Sequence, residues 1–230
     1  MQSKANNRQR KFLLVCGAIA GPLFTISWFV QGLTHANYDP MRHAISSLSV
    51  GELGWIQIVT FVITGSLILA FSVELRRMLR QPSGSVWGPL LIGLVGIGLI
   101  GAGIFVTDPL NGYPAGTPVI PTVRTTHGIL HDLFGIPFFL GLPITCFVFA
   151  RFFTRQGEAR QGKRSWAWYS LLSGIGMFAI FFVARLGFRL LETYPDLAAN
   201  FGLLQRTTVT IGLTWLTLLA IYMMNAAEKR

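Results

Sequence analysis

Charge is scarce in this sequence. Asp, Glu, Lys and Arg together make up 12% of its 230 residues, about half the share found in a soluble domain. Apolar residues form 52% of the chain, more than a water-soluble globule of this size can hide, and the same excess excludes intrinsic disorder. Cysteine is nearly missing. Cys16 and Cys146 fall toward the ends of apolar runs on the side expected to be cytoplasmic, so a disulfide framework is excluded. Both read as small apolar packing residues. The first apolar run lacks a small-x-small cleavage site and is about twice as long as a signal core, so it is expected to be an uncleaved first span.

What the chain does have is long apolar runs, and its mean hydropathy is +0.54. Six are long enough to cross a bilayer as helices, at roughly 12–34, 55–75, 86–107, 126–150, 166–190 and 203–226. Twenty-five Gly and 11 Pro fit membrane helices, where both are commoner than in soluble ones. The expected fold class is all-α: a polytopic membrane protein whose residues 1–230 form one bundle of six transmembrane helices, arranged as three outward-opening helical hairpins.

A net charge of +10 can signal a nucleic-acid partner. Here the bases sit in short runs between spans, with no basic helix or domain, so no nucleic-acid partner is expected. Fourteen of the 19 bases, including all four Lys, fall in the N-terminus, the 76–85 and 151–165 connections and the C-terminus, with three acids, a balance of +11. The other connections and span ends hold five bases and six acids, a balance of −1. The positive-inside rule then places both termini in the cytoplasm of a cell that carries the protein in its plasma (inner) membrane.

Gly96-Ile97-Gly98-Leu99-Ile100-Gly101 matches the dinucleotide-binding fingerprint, but that motif works only in a strand-to-helix turn. Inside an unbroken apolar span, these glycines instead let neighbouring helices approach closely. A short echo links Gly54-Trp55-Ile56-Gln57 with Gly202-Leu203-Leu204-Gln205, each opening a span on the outer side.

Polar residues gather on that outer side. His127 falls in the first turn of the fourth span and His131 about 6 Å deeper on the same face, followed by Asp132. Asp108 ends the third span, Arg185 and Arg189 lie near the end of the fifth, and Gln205-Arg206 opens the sixth. The first outer loop adds Tyr38, Asp39, Arg42, His43, Ser46 and Ser47, and all four His of the chain lie on this side. Ionisable groups within a span usually face the bundle interior, which points to a pocket at outer-leaflet depth.

The chain resembles the bacterial integral-membrane family known as domain of unknown function 998. The likeness rests on Gly21-Pro22-Leu23, the loop from Tyr38-Asp39-Pro40 to Ile45-Ser46-Ser47-Leu48, and His127-Gly128-x-x-His131-Asp132. It implies a six-helix membrane protein and no particular activity. A looser, chemical analogy is to alkaline ceramidases and adiponectin-receptor relatives, whose three zinc-binding His include a His-x-x-x-His pair. Those proteins have seven helices with the pair in the last, whereas here it lies in the fourth of six.

Three functions are open. The first is a zinc-dependent hydrolase acting on a lipid or amphiphile. His43, His127 and His131 would bind Zn²⁺, leaving one position for water. Asp108 or Asp132 would orient an imidazole or take the proton of the bound water, and Ser46 or Ser47 would bond the developing oxyanion. The second is a non-catalytic binder or transporter of an anionic amphiphile, held by Arg185, Arg189, Arg206 and Gln205 with Tyr38 and Arg42. The third is a six-helix haem redox protein, in which His127 and His131, on one helix face, could not ligate the iron from opposite sides but His43 with one of them could.

Overall fold

In the computed structural model the described residues are 2–80, 85–119, 123–155, 161–189 and 199–228, with backbone only at 2–6, 161, 162, 188 and 189. Glu158, Arg160, Glu192, Asp196, Lys229 and Arg230, all counted in the charge balance, lie outside the described residues, as do the side chains of Lys4 and Arg189.

The described chain is helical and contains no strand. Helix α1 covers Gln2–Thr34, α2 Gly54–Met78 and α3 Trp87–Ile104; a 3-10 turn at Ile45–Ser49 lies between α1 and α2. The fourth span is compound: α4 (Thr126–Ile136), a π-helical turn (Pro137–Gly141) and α5 (Leu142–Arg155). Pro137 supplies no backbone N–H, and the π turn absorbs the missing i→i−4 bond. Helix α6 runs Gln161–Arg189 and α7 Phe201–Glu228. Six stretches are long and apolar enough to cross a membrane, in register with the six runs read from the sequence. The chain is a multi-pass membrane protein. At 1.5 Å per residue, the 18 residues of α3 rise about 27 Å, a little less than a hydrocarbon layer of about 30 Å. The 33 residues of α1 overshoot it, and the excess carries Arg8, Arg10 and Lys11.

The helices pack in a closed ring. Helix α1 lies between α2 and α7, α2 against α3, α3 against α4 and α5, α5 against α6, and α6 against α7. Glycine makes the α2–α3 contact possible. A Cβ on Gly65 would lie 2.5 Å from the Gly96 carbonyl oxygen, and one on Gly96 would lie 2.8 Å from that of Gly65. The backbones therefore touch, as the small-residue reading of the third span requires, and the apparent dinucleotide motif lies inside α3 with no strand before it. Cys16 and Cys146 are buried free thiols. Trp215 and Phe149 are fully buried, and Trp215 donates to Ser170 Oγ at 3.0 Å. The outer surface is apolar, with Phe12, Ile26, Phe29 and Leu33 of α1 all more than half exposed, as expected of a helix facing lipid.

Six antiparallel spans put both termini at one end of the ring. The connections 35–53 and 105–119 lie at the other, the loop end, with residues 123–125 and 199–200 beside them. The charge balance predicts that the loop end is the outer one. With Cys16 and Cys146 replaced by Ala, a cysteine at exposed Ala115 should react with an impermeant maleimide in intact cells, and one at exposed Arg80 should react only after permeabilisation. The reverse pattern would invert the assignment.

Candidate functional site

The loop end is closed by two interlocked loops. After α1 the chain turns through Asn37 at φ +59°, a left-handed conformation that Asn tolerates. Asp39 then organises the next turn. Its Oδ1 accepts from Met41 N–H (2.8 Å), its carbonyl accepts from His43 N–H (2.8 Å), and its own N–H donates to His43 Nδ1 (2.8 Å). His43 Nδ1 is thus an acceptor, and the ring sits buried between Tyr38 (5.5 Å between centroids) and Tyr113 (5.2 Å). Burial pushes the His43 imidazole below its usual range, against a smaller opposing pull from the Asn111 backbone. The second loop locks on: Tyr113 meets Tyr38 edge-on at 5.3 Å, and Asn111 Nδ2 donates to the Arg42 carbonyl (3.0 Å).

Helix α7 holds this assembly down. Arg206 is 6% exposed. Its Nη1 donates to the carbonyls of Pro40 and, at 2.8 Å, His43, and its Nη2 donates to the Tyr38 hydroxyl. The Tyr38 hydroxyl donates in turn to the Ala44 carbonyl (2.8 Å), and burial pushes the phenol up to about 12. The guanidinium lies over the rings of Trp28 (5.3 Å) and Tyr38 (5.4 Å), a cation–π sandwich. Gln205 Oε1 accepts from Ile45 N–H at 2.8 Å. The echo between the second and last spans acquires a physical basis. A Cβ on Gly54 would meet the Ser49 carbonyl oxygen at 2.2 Å, and one on Gly202 would meet that of His43 at 2.5 Å. Both helices begin directly against the first loop, where only glycine fits.

A second cluster joins α3 to α4. Thr125 caps α4 by accepting from Gly128 N–H at 3.0 Å. Asp108, 7% exposed, accepts from Thr125 Oγ1 (2.5 Å), Thr125 N–H (3.1 Å) and Arg124 Nε (3.2 Å). Burial pushes the Asp108 carboxyl up, but the Thr125 hydroxyl and amide and the Arg124 guanidinium outweigh it and hold the group below the usual carboxylate range. Arg124 also reaches Asp132 Oδ2 at 2.8 Å, with about half of each side chain exposed. His131 Nδ1 faces two carbonyls, Ala102 at 2.9 Å and Phe105 at 2.8 Å. That nitrogen therefore carries the proton, and His131 caps the C-terminus of α3. The motif from Thr125 to Asp132 thus clamps the end of α3 to the start of α4.

The remaining expected residues can now be placed. His127 lies on the same face as His131, as its spacing requires. It is exposed, with its ring 5.6 Å from that of Phe105. Among the described residues no three His, Cys, Asp or Glu side chains form a group able to hold a metal, so His43, His127 and His131 are not gathered into one ligand set. Ser46 and Ser47 belong to the 3-10 turn, where the Ser46 carbonyl accepts from Ser49 Oγ at 2.6 Å. Neither Ser hydroxyl is bonded to a His or a carboxylate among the described residues. The Arg42 side chain is exposed, and Arg185 is exposed on α6 beside Phe182 and Leu186, the position of a snorkelling arginine.

A third polar cluster escaped the sequence reading. Gln57 is fully buried and Gln31 nearly so. Gln31 Nε2 donates to Gln57 Oε1 (2.8 Å) and Ser27 Oγ (3.0 Å), and Ser27 Oγ meets Thr60 Oγ1 at 2.7 Å. Gln31 Oε1, Gln57 Nε2, Trp28 Nε1 and Arg206 Nε are all buried without a hydrogen-bond partner among the described residues. The signal was available: each Gln falls inside an expected apolar span, where an uncharged amide still needs a partner. These groups are contiguous, from Arg206 over Trp28, one turn along α1 to Gln31, and across to Gln57.

No curated protein and no solved structure matches this chain. A family model does match, over residues 18–222. That range takes in the first-loop turn, the clamp between α3 and α4, and the start of α7, and on it the chain belongs to the family described as Protein of unknown function (DUF998).

Proposed function

We propose that this membrane protein is a non-catalytic binder or transporter of an anionic amphiphile, whose headgroup site is the polar cluster of Arg206, Trp28, Gln31 and Gln57 under the first loop. The observation that carries this reading is the state of Arg206. It is a buried cation with no carboxylate within ion-pair distance among the described residues, and its own Nε, Trp28 Nε1 and Gln57 Nε2 carry N–H groups with no hydrogen-bond partner among those residues. A buried charge is costly unless paired, and several free donors beside a cation suit a phosphate or carboxylate. The carbonyls of Pro40 and His43 occupy the guanidinium in this closed form. An anion bonds a guanidinium more strongly than a neutral carbonyl does, so binding loosens the first loop. The hydrolase reading has less support, because the three His occupy separate surroundings and both Asp are engaged by Arg124.

The test uses purified protein in neutral detergent, with dodecyl phosphate as probe and the thermal midpoint as readout. Dodecyl phosphate should stabilise the wild type. Gln57→Leu, which removes the Nε2 donor, should weaken its binding about tenfold, the loss of one charge-assisted hydrogen bond. Equal binding by the two proteins would sink the site. One zinc per chain by metal analysis would overturn the non-catalytic reading in favour of the hydrolase.

A further inference from the structure

We infer that the groove between α1 and α7 at the termini end is a seat for the headgroup of an anionic phospholipid, independent of the polar cluster at the loop end. The groove has a volume of about 700 Å³ and is lined by Arg8, Arg10, Lys11 and Leu14 of α1 and by Met224 and Glu228 of α7. Its wall carries three bases and one acid. Arg8 is exposed and has no ion pair among the described residues. Lys11 stands 3.6 Å from Glu228 Oε1, but both side chains are about two-thirds exposed, so the pair is screened and readily exchanged. Arg10 Nε lies 3.5 Å from Glu74 Oε1, yet it is buried with no hydrogen-bond partner among the described residues. Glu74 is shared with Arg77 at 3.4 Å, so one buried carboxylate serves two guanidinium groups and leaves donors over.

Depth decides the source of the anion. Phe12, the residue after Lys11, is 65% exposed and begins the lipid-facing stripe of α1. Trp87 and Trp168, at the same end on α3 and α6, are 66% and 55% exposed, as in an interfacial aromatic belt. The bases of the groove therefore stand at headgroup level, while its floor is apolar: Leu14 is 2% and Met224 partly exposed. A free phosphate would use the basic rim alone. A phospholipid fits both, with its phosphate among Arg8, Arg10 and Lys11 and its glycerol and first methylenes over Leu14 and Met224. Juxtamembrane bases of this kind favour anionic lipid at the cytoplasmic leaflet.

The experiment uses delipidated full-length protein in neutral detergent and native mass spectrometry with phosphatidylglycerol or phosphatidylcholine added at equal concentration. Phosphatidylglycerol should bind at least about tenfold better, from the contributions of two or more bases. Arg8→Gln with Lys11→Gln should reduce that preference to about twofold or less, and Arg151→Gln, at an exposed base outside the groove, should leave it intact. Equal binding of the two lipids would overturn the site, as would an undiminished preference in the double variant. If millimolar inorganic phosphate displaces phosphatidylglycerol completely, the groove takes a free anion and the lipid assignment is wrong. Failure here leaves the loop-end site standing, and the reverse also holds, because the variants touch opposite ends of the molecule.

Discussion

Replacing Gly128 by alanine is expected to destabilise the protein by about 3 kcal/mol, the sum of overpacking and a disturbed buried charge network. The added Cβ would lie 2.1 Å from Asp108 Oδ2 and 2.3 Å from its Cγ. Asp108 cannot step aside cheaply, because Thr125 Oγ1, the Thr125 amide and Arg124 Nε all bond it. If it moves, α4 loses the carboxylate at its N-terminus and Arg124 loses a partner. Gly135→Ala on the same helix is the control: its Cβ would meet nothing nearer than Phe139 Cδ2 at 3.9 Å, and it should change stability little. Thermal denaturation in detergent reads both, and equal midpoints for the two variants would contradict the clamp. Asp108→Ala and Gly128→Ala should also be strongly non-additive, since each removes the same interaction. A pH dependence follows with a definite sign. The folded-state pKa of Asp108 lies below its usual value, so its stabilisation is present above about pH 4 and is lost as pH falls through the folded value. The acid limb of the stability curve should flatten in Asp108→Ala.

The second large effect is expected at Arg206. Arg206→Met keeps the apolar stem and removes every N–H. The carbonyls of Pro40 and His43 and the Tyr38 hydroxyl then lose a charged donor, at a cost of about 2–3 kcal/mol for the set that stays buried. The loss is local. Gln205 still holds Ile45 N–H, and Met41 O still accepts from Leu203 N–H at 2.9 Å, so the bundle survives while the 38–44 turn loosens. Amide hydrogen exchange across residues 38–50 should rise by about tenfold or more, the equivalent of at least ~1.4 kcal/mol of local stability. Arg206→Lys should not restore protection, because one ammonium cannot serve three acceptors spread across a planar fork. Wild-type exchange in Arg206→Met would show that the two interlocked loops hold themselves closed and that Arg206 is free for another role.

Why some of this was legible in the sequence is clear from individual residues. Gln57 was singled out only as part of a short echo, Gln205 there and also beside Arg206 as an anion-binding residue, and the echo turned out to mark two helices that start against the same loop. The His127–His131 spacing correctly placed both rings on one face of α4. It could not say what that face meets. The answer was the end of α3, whose Ala102 and Phe105 carbonyls accept from His131 Nδ1–H. Arg185 and Arg206 had looked equivalent as outer-end arginines, yet one is exposed among apolar side chains and the other is buried beneath a loop more than 160 residues away in the chain.

By itself the sequence determined the class of fold, the six spans, their hairpin order and the crowding of polar residues at one end. These depend on quantities that add along the chain: the transfer free energy of about 20 consecutive residues, the helical period and the count of charges beside each span. Only the tertiary structure decided which donor meets which acceptor. Asp108 meets Thr125 and Arg124 rather than an imidazole, His43 accepts from Asp39 N–H rather than facing His131, and Arg206 holds Tyr38 and the first loop. The physical reason is that a hydrogen bond depends on ångström-scale distance and direction between groups far apart in the chain, which helix packing sets and local composition does not record.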